Sequence, residues 1–180
     1  GLIGVDRYFE SCKRYIISIS IFLIIMTSYY FSVFGIGVIC IYGLYKYLES
    51  TEIIKFKVLI KEMIKFLIPV FIGILLSCIL LLPTIYVLKT GRAEVSRTIS
   101  LANYFIPHFG AEFFLYSNYG LGLTSIAMIG LFSFICSGKK EKKCLGIILL
   151  LILTIPLFIY LLNGNLYYRG KVLIPAIPLF

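Results

Sequence analysis

Thirty-one consecutive residues, from Tyr15 to Tyr45, contain no Asp, Glu, Lys, Arg or His. Further apolar stretches without charge occupy residues 66–88, 119–138 and 145–168. An α-helix rises about 1.5 Å per residue, so about 20 apolar residues cross the hydrocarbon core of a bilayer. The sequence therefore predicts an all-α, polytopic transmembrane helix bundle that has the lipid bilayer as its surroundings.

The composition agrees with this prediction. Charged residues make up 14% of the chain and hydrophobic residues 61%, whereas about 25% of residues are charged in soluble domains. The 17 Lys and Arg outnumber the 8 Asp and Glu, an excess that in a membrane protein indicates orientation rather than nucleic-acid binding. The five cysteines form no CxxC pair and no cluster with histidine, so we interpret them as small apolar side chains without a disulfide framework.

The first apolar stretch is too long for one straight crossing, because 31 helical residues would extend about 46 Å against a core of about 30 Å. Near its middle, residues 27–32 read TSYYFS, and such hydroxyl and aromatic side chains suit a membrane interface. Basic residues flank both ends of the stretch. Positive ends tend to stay in the cytoplasm, so we predict a hairpin with its tip at Ser28-Tyr29. One steeply tilted helix is the alternative.

The predicted architecture has about five complete spans and the start of a sixth. The chain opens at Gly1 without Met and closes inside an apolar segment, so we interpret residues 1–180 as a single membrane-domain fragment of a larger protein. The predicted spans cover residues of about 15–28, 30–48, 66–88, 119–136, 145–162 and, incompletely, 172–180.

The segment between the second and third spans, residues 50–65, has apolar residues at helical spacing and lysines at Lys57, Lys61 and Lys65. This pattern predicts a helix in the cytoplasmic interface with its lysines toward anionic lipid headgroups. A plain amphipathic connector is the alternative. The basic loop from Lys139 to Lys143 is predicted to lie on the same cytoplasmic side.

Two polar segments are then predicted to face outward. Residues 89–118 form a long loop that contains Arg92, Arg97 and the single histidine, His108. The second segment, at residues 163–171, contains Asn163, Tyr167 and Arg169. Long loops are disproportionately functional, and guanidinium groups bind phosphate oxygens in pairs. These residues, with Tyr29 and Tyr30 at the hairpin tip, are therefore candidate contacts for a phosphate and a sugar.

Each of these residues also has a simpler interpretation. Arg and Tyr at a membrane interface commonly serve as anchors at the headgroup level, and His108, between a proline and a phenylalanine, fits a packing role in its loop. The sequence contains no paired carboxylates, P-loop, nucleophile elbow or zinc-ligand spacing, so soluble-enzyme chemistries find no support. No charged residue lies deep within a predicted span, which counts against an ion-coupled transporter.

The order of several motifs resembles the YfhO family of bacterial multi-pass membrane proteins. They are a tyrosine pair at the hairpin tip, a Leu-Pro end to a span followed by Gly-Arg, and an outer loop of the form Asn-Gly-x-x-Tyr-x-Arg. The sequences that carry the resemblance are TSYYFSVFGIGVICIYGLYKYLE, LLPTIYVLKTGR and IPLFIYLLNGNLYYRGKVLIPAIPL.

This family is similar to C-type glycosyltransferases, which take a sugar from a polyprenyl-phosphate carrier at the outer membrane face. The resemblance implies that the chain is part of such a fold in the bacterial plasma membrane, where members decorate cell-surface polymers. It extends to Tyr29 and Tyr30, to Arg92, and to Asn163, Gly164, Tyr167 and Arg169. The catalytic acidic residue is expected upstream of this sequence. A divalent metal could assist, although the sequence shows no ligands for one.

Three classes of function therefore remain open. A glycosyltransferase-like enzyme is favoured by the resemblance and by the basic outer loops. A flippase-like transporter of a lipid-linked sugar or polymer could bind a phosphate through the same arginines. In a non-catalytic scaffold, every polar residue named above would be an anchor.

Overall fold

The computed structural model describes residues 1–11, 13–51, 56–91, 105, 125–162 and 170–179, and every element in these ranges is helical. The chain divides into two compact units, Gly1–Ala93 and Glu94–Phe180. The elements are α1 (Leu2–Ser11), α2 (Arg14–Thr27), α3 (Tyr29–Ser50), α4 (Phe56–Leu76), α5 (Cys78–Gly91), α6 (Ser125–Cys136), α7 (Lys140–Thr154), α8 (Pro156–Leu162) and a 3-10 helix (Gly170–Leu179).

The long charge-free stretch breaks at Ser28, as the hairpin prediction required. Ser28 has an extended backbone, with φ −161° and ψ 110°, and its Oγ accepts a hydrogen bond from the Phe31 N–H at 3.5 Å. A residue with a short hydroxyl side chain commonly begins a helix in this way, because the side chain satisfies one of the first free N–H groups. The alternative of one continuous helix from Tyr15 to Tyr45 is therefore wrong.

The short helix α1, which the sequence analysis did not predict, packs against α2 in the opposite direction. A Cβ atom built on Gly1 would lie 3.6 Å from Ile24 Cδ1, near the end of α2. One built on Gly4 would lie 3.4 Å from Ile16 Cγ2, near the beginning of α2. Residue numbers that rise in one helix and fall in its neighbour define an antiparallel pair.

Helix α1 also packs against α3, but here the two helices run the same way. The Cβ built on Gly1 would lie 3.0 Å from Ile39 Cδ1, and the Tyr42 hydroxyl donates to Asp6 Oδ1 at 3.0 Å. Because α1 is antiparallel to α2 and parallel to α3, α2 and α3 are antiparallel to each other. They therefore form the predicted hairpin.

Helix α4 lies against both arms of this hairpin. Ser18 Oγ donates to the Pro69 carbonyl oxygen at 2.8 Å, and Gly73 faces Ile21, so α4 runs parallel to α2. Phe66 faces Gly43 of α3. Helices α1 to α4 form what we call the N-terminal bundle, and its buried apolar core consists of Val5, Ile17, Ile21, Ile25, Ile39, Phe66 and Val70.

Helix α4 differs from the predicted pattern at both ends. It runs without interruption from Phe56 to Leu76, so the lysine-bearing turns and the apolar turns belong to one helix. The predicted span of residues 66–88 is instead broken at Ser77, where α5 bends away by 66°. The Ser77 N–H is shared between the Gly73 and Ile74 carbonyls, and its hydroxyl donates to Gly73 O at 2.9 Å. These local bonds tighten the turn at which the helix changes direction.

In the C-terminal unit, α6 and α7 pack closely. A Cβ built on Gly146 would lie 3.0 Å from both Phe134 Cβ and Ile135 Cγ1. Helix α7 begins at Lys140, five residues before the predicted start of its span at residue 145, and ends at Thr154. Ile155 is extended because a residue before proline avoids the helical region, and α8 leaves at 74°.

The residues predicted to start a sixth span form a different type of helix from the one expected. Residues Gly170–Leu179 form a 3-10 helix that contains Pro175 and Pro178. Each proline lacks the N–H that an α-helix needs in its interior, so these residues do not form the continuous α-helical span that the sequence predicted.

Among the described residues, α3 is the helix that is long and apolar enough to cross a membrane by itself. The bent pairs α4–α5 and α7–α8 raise the number of candidate spans to at most three. Large apolar side chains are widely exposed on these helices; Ile79, for example, is 87% exposed and Phe71 61%. Contiguous apolar surface of this kind is unfavourable in water. The described part of the fold is therefore all-helical and has at least one candidate membrane-spanning helix.

Candidate functional site

The tyrosine pair of the predicted site lies at the tip of the α2–α3 hairpin. Tyr29 and Tyr30 open α3 and are half-buried. The Tyr29 carbonyl accepts a hydrogen bond from Ser32 Oγ at 2.6 Å, and the Tyr30 ring meets the Phe31 ring edge to face with centroids 5.0 Å apart. The tip is therefore an uncharged surface of hydroxyl and aromatic groups, typical of a membrane interface.

The remaining candidate residues lie outside the part of the chain that the structure describes. They include all three arginines of the predicted outer loops, so the phosphate contacts assigned to them stay a prediction. These residues are Arg92, Arg97, His108, Asn163, Tyr167 and Arg169.

The charges of the N-terminal bundle are gathered at its other end. Helices α1 and α3 end where α2 and α4 begin, opposite the tip. Every charged side chain that the structure describes in this unit lies in the helical turns near this end, which we call the charged end. These residues are Asp6, Arg7, Glu10, Lys13, Arg14, Lys46, Glu49, Lys57, Lys61, Glu62 and Lys65.

A network of side chains joins α1 to α3 at the charged end. Lys46 Nζ lies 3.5 Å from Asp6 Oδ1 and 3.0 Å from Glu49 Oε2. Tyr42 donates to Asp6 and Tyr45 to Glu49, at 3.0 and 3.3 Å, and the two tyrosine rings stack with centroids 5.9 Å apart. One ammonium group thus sits between two carboxylates, each of which also accepts from a tyrosine.

This network stabilises the packing of α1 against α3 and is not suited to binding an anion. The Lys46 charge is already balanced by Asp6 and Glu49, so little positive potential remains for a ligand. The side chains of Lys46 and Asp6 are 28% and 34% exposed, and ion pairs in such surroundings contribute about 0.2–1 kcal/mol. The stacked tyrosines and their hydrogen bonds add directional contacts that set the position of α1 on α3.

The beginning of α4 carries a different set of cations. Lys65 Nζ lies 2.6 Å from Glu62 Oε1. Lys57 and Lys61 are exposed and have no acidic partner among the described residues. These two lysines are therefore available to a negatively charged partner.

Sequence reasoning missed the network for an identifiable reason. Tyr42, Lys46 and Glu49 have the spacing of one helix face, which is a visible signal. Asp6 lies in α1, a ten-residue helix with charged and polar residues in its second half, and it has no span-like pattern. Nothing in the sequence links Asp6 to Tyr42, which lies 36 residues later in the chain.

Within the described ranges, no group of three or more His, Cys, Asp or Glu side chains could hold a metal ion. The described cysteines, Cys40, Cys78, Cys136 and Cys144, are free thiols.

Comparisons with models of protein families, with curated proteins and with solved structures give no match. The resemblance to the YfhO family therefore rests on the sequence motifs alone.

Proposed function

We propose that this chain is part of a glycosyltransferase-like membrane protein that uses a polyprenyl-phosphate-linked sugar. In this proposal it modifies a cell-surface polymer on the outer face of the bacterial plasma membrane. In this proposal residues 1–180 contribute about five spans plus the start of a sixth to a larger membrane domain, and α3 and the bent pairs α4–α5 and α7–α8 are parts of these spans. The partners are the bilayer, the lipid-linked sugar and the polymer acceptor.

The observation that supports this proposal best is the separation of charge in the N-terminal bundle. Its described Lys and Arg side chains are at one end, and cytoplasmic ends of membrane helices are enriched in such residues. The opposite end, with Tyr29 and Tyr30, then faces outward. A reaction at the outer face would therefore have an aromatic, hydroxyl-rich surface beside it, and Tyr side chains suit contacts with a sugar.

The proposed chemistry depends on cations at the outer interface. A lipid-linked sugar keeps its tail in the bilayer and its phosphate at the headgroup level. Arg92 and Arg169 would bind the phosphate, while Asn163 and Tyr167 would contact the sugar. Positive charge beside the phosphate stabilises it as a leaving group while the sugar–oxygen bond breaks. A divalent metal could share the stabilising role.

A transporter of the same lipid-linked substrate is the second candidate. Ion-coupled transporters commonly bury ionisable groups along their pathway. The buried polar side chains in the described helices are instead uncharged hydroxyl groups. The Tyr47 hydroxyl has no hydrogen-bond partner among the described residues, and the other four donate to backbone carbonyls. They are Ser18, Ser32, Ser77 and Thr154. This observation favours an enzyme or a scaffold over an ion-coupled transporter.

Loss of either outer arginine should abolish transfer. In the full-length protein, we expect Arg92→Ala and Arg169→Ala each to weaken carrier binding by roughly 10- to 150-fold, because a charge-assisted hydrogen bond is worth about 1.5–3 kcal/mol. Arg169→Lys should restore transfer only in part, since an ammonium group cannot form the bidentate contact. The measurement is the sugar content of the surface polymer in cells that express each variant at equal level.

Arg7→Ala is the matched control. It too removes one arginine, and because Arg7 is exposed and lies at the charged end, transfer should remain normal. If both outer variants retain full transfer while inserted in the membrane, the arginines are anchors and the proposed site is wrong. If the variants lose carrier binding but the surface polymer still receives its sugar, this chain does not catalyse the transfer. Transport of the lipid-linked sugar is then the better-supported function.

A further inference from the structure

One exposed face of α4 changes from basic to apolar within a single turn. Lys57 and Lys61 are exposed and four residues apart, so they lie on the same side of the helix. The same side continues with Ile64, Ile68 and Phe71, which are 57%, 48% and 61% exposed. Ile60, at the edge of this side, is also 44% exposed, and Lys61 is the last charged residue on this side of α4. A helix that passes from lipid headgroups into hydrocarbon needs this order of side chains.

Because α4 is continuous, its basic and apolar residues indicate how the helix lies relative to the membrane. The helix does not end between Phe56 and Leu76, so its lysines and its exposed apolar residues keep a fixed relative position. A helix lying flat in the interface would instead have its lysines and apolar residues on opposite sides along its whole length. The structure thus favours a helix that enters the membrane in the turn after Lys61, where Lys65 is paired with Glu62.

The neighbouring helix adds a cation one turn beyond Lys61 along the bundle. Helices α2 and α4 run parallel, and Ser18 bonds to Pro69. One turn earlier in each helix lie Arg14 and Lys65, which are therefore level with each other along the bundle. Arg14 is exposed and, like Lys57 and Lys61, has no acidic partner among the described residues.

We propose that Lys57 and Lys61 bind the phosphate of an anionic phospholipid, with Arg14 contributing positive charge from α2. The acyl chains of this lipid lie along Ile64, Ile68 and Phe71. Lysine stems reach back to the headgroup level while their ammonium groups contact the phosphate. A soluble phosphate compound would use the lysines but would gain nothing from the apolar face. This site is on the side opposite the proposed transfer reaction and does not depend on it.

The test uses the full chain in detergent, with phosphatidylglycerol as the anionic probe and phosphatidylcholine as the neutral one. Native mass spectrometry gives the apparent dissociation constant for each lipid. Each lysine near a membrane surface contributes about 5-fold in affinity, so Lys57→Gln with Lys61→Gln should weaken phosphatidylglycerol binding about 25-fold. Replacing both lysines by arginine should preserve binding.

The matched control is Lys139→Gln with Lys140→Gln, which lowers the net charge equally at two other exposed lysines and should leave the dissociation constant nearly unchanged. Equal weakening by both pairs would mean a general charge effect and would overturn the proposal. So would wild-type protein that binds both lipids equally well, a result independent of any variant's folding. Inorganic phosphate that displaces phosphatidylglycerol at comparable concentration would also contradict it, because the apolar face would then contribute nothing.

Discussion

Replacing Gly73 by alanine should destabilise the N-terminal bundle more than the same replacement at any other glycine described in it. The new Cβ would lie 2.6 Å from the Ser18 carbonyl oxygen and 2.7 Å from Ile21 Cβ. The first of these neighbours is backbone, so α2 and α4 must move apart. Overpacking of this kind costs about 1–3 kcal/mol. Separation would also lengthen the 2.8 Å bond from Ser18 to Pro69, which is buried and costly to lose.

The matched control is Gly37→Ala, because both changes place alanine in the interior of an α-helix, where it is about 1 kcal/mol better than glycine. A Cβ on Gly37 would meet its nearest neighbour, Phe34 Cδ2, at an ordinary 3.6 Å. Unfolding in detergent, monitored by circular dichroism, should show a lower free energy of unfolding for Gly73→Ala and an unchanged or higher one for Gly37→Ala. Equal stability of the two variants would mean that α2 and α4 are not in this close contact.

Gly43→Ala should have the second large effect, and a second mutation should relieve it. The new Cβ would lie 2.7 Å from Phe66 Cζ. The Phe66 ring is buried and meets Tyr8 edge to face, with centroids 5.3 Å apart, so it cannot rotate away freely. We expect a loss of about 1–3 kcal/mol in the free energy of unfolding.

A double-mutant cycle separates this clash from other causes. Phe66→Leu alone should destabilise the bundle, because it removes buried apolar atoms. In the Gly43→Ala background the smaller leucine makes room for the new methyl group. The two changes together should therefore cost less than the sum of the single changes, by about 0.5–3 kcal/mol. Strictly additive costs would show that the Gly43–Phe66 contact does not limit the packing of α3 against α4.

Small residues at helix contacts are common in membrane proteins, where close backbone approach replaces the hydrophobic effect between helices. Gly43 and Gly73 have this role in the N-terminal bundle. The sequence contains these glycines within apolar stretches, but periodicity does not identify the helix that each one faces. That information depends on packing between residues distant in the chain.

The hairpin was predictable because its cause is local. The stretch from Tyr15 to Tyr45 is too long for one crossing, and Ser28 can satisfy a free N–H at the start of a helix. The break at Ser77 was not predicted, although Pro83 follows it. It depends on hydrogen bonds within one turn, and an apolar sequence of this length is equally compatible with a straight helix.

The candidate site was predictable only in outline. Sequence placed Tyr29 and Tyr30 at the hairpin tip, and the structure confirms that position. The role of the outer arginines, Arg92 and Arg169, stays a prediction. The network around Lys46 was missed because Asp6 belongs to a short helix with no membrane-like pattern. The sequence likewise did not show which lysines are free to bind an anion. The structure pairs Lys46 and Lys65 with carboxylates and leaves Lys57 and Lys61 without an acidic partner among the described residues.

The central claim is that the hairpin tip and the charged end lie on opposite sides of a membrane. Single cysteines at Thr27, Lys61 and Ser137, in a background without native cysteines, test it with an impermeant thiol reagent on intact cells. Thr27 is exposed at the tip and Lys61 at the charged end, while Ser137 precedes the basic loop at Lys139. The account predicts labelling of position 27 from outside, and labelling of positions 61 and 137 only after the cells are permeabilised. Labelling of positions 27 and 61 from the same side would contradict it.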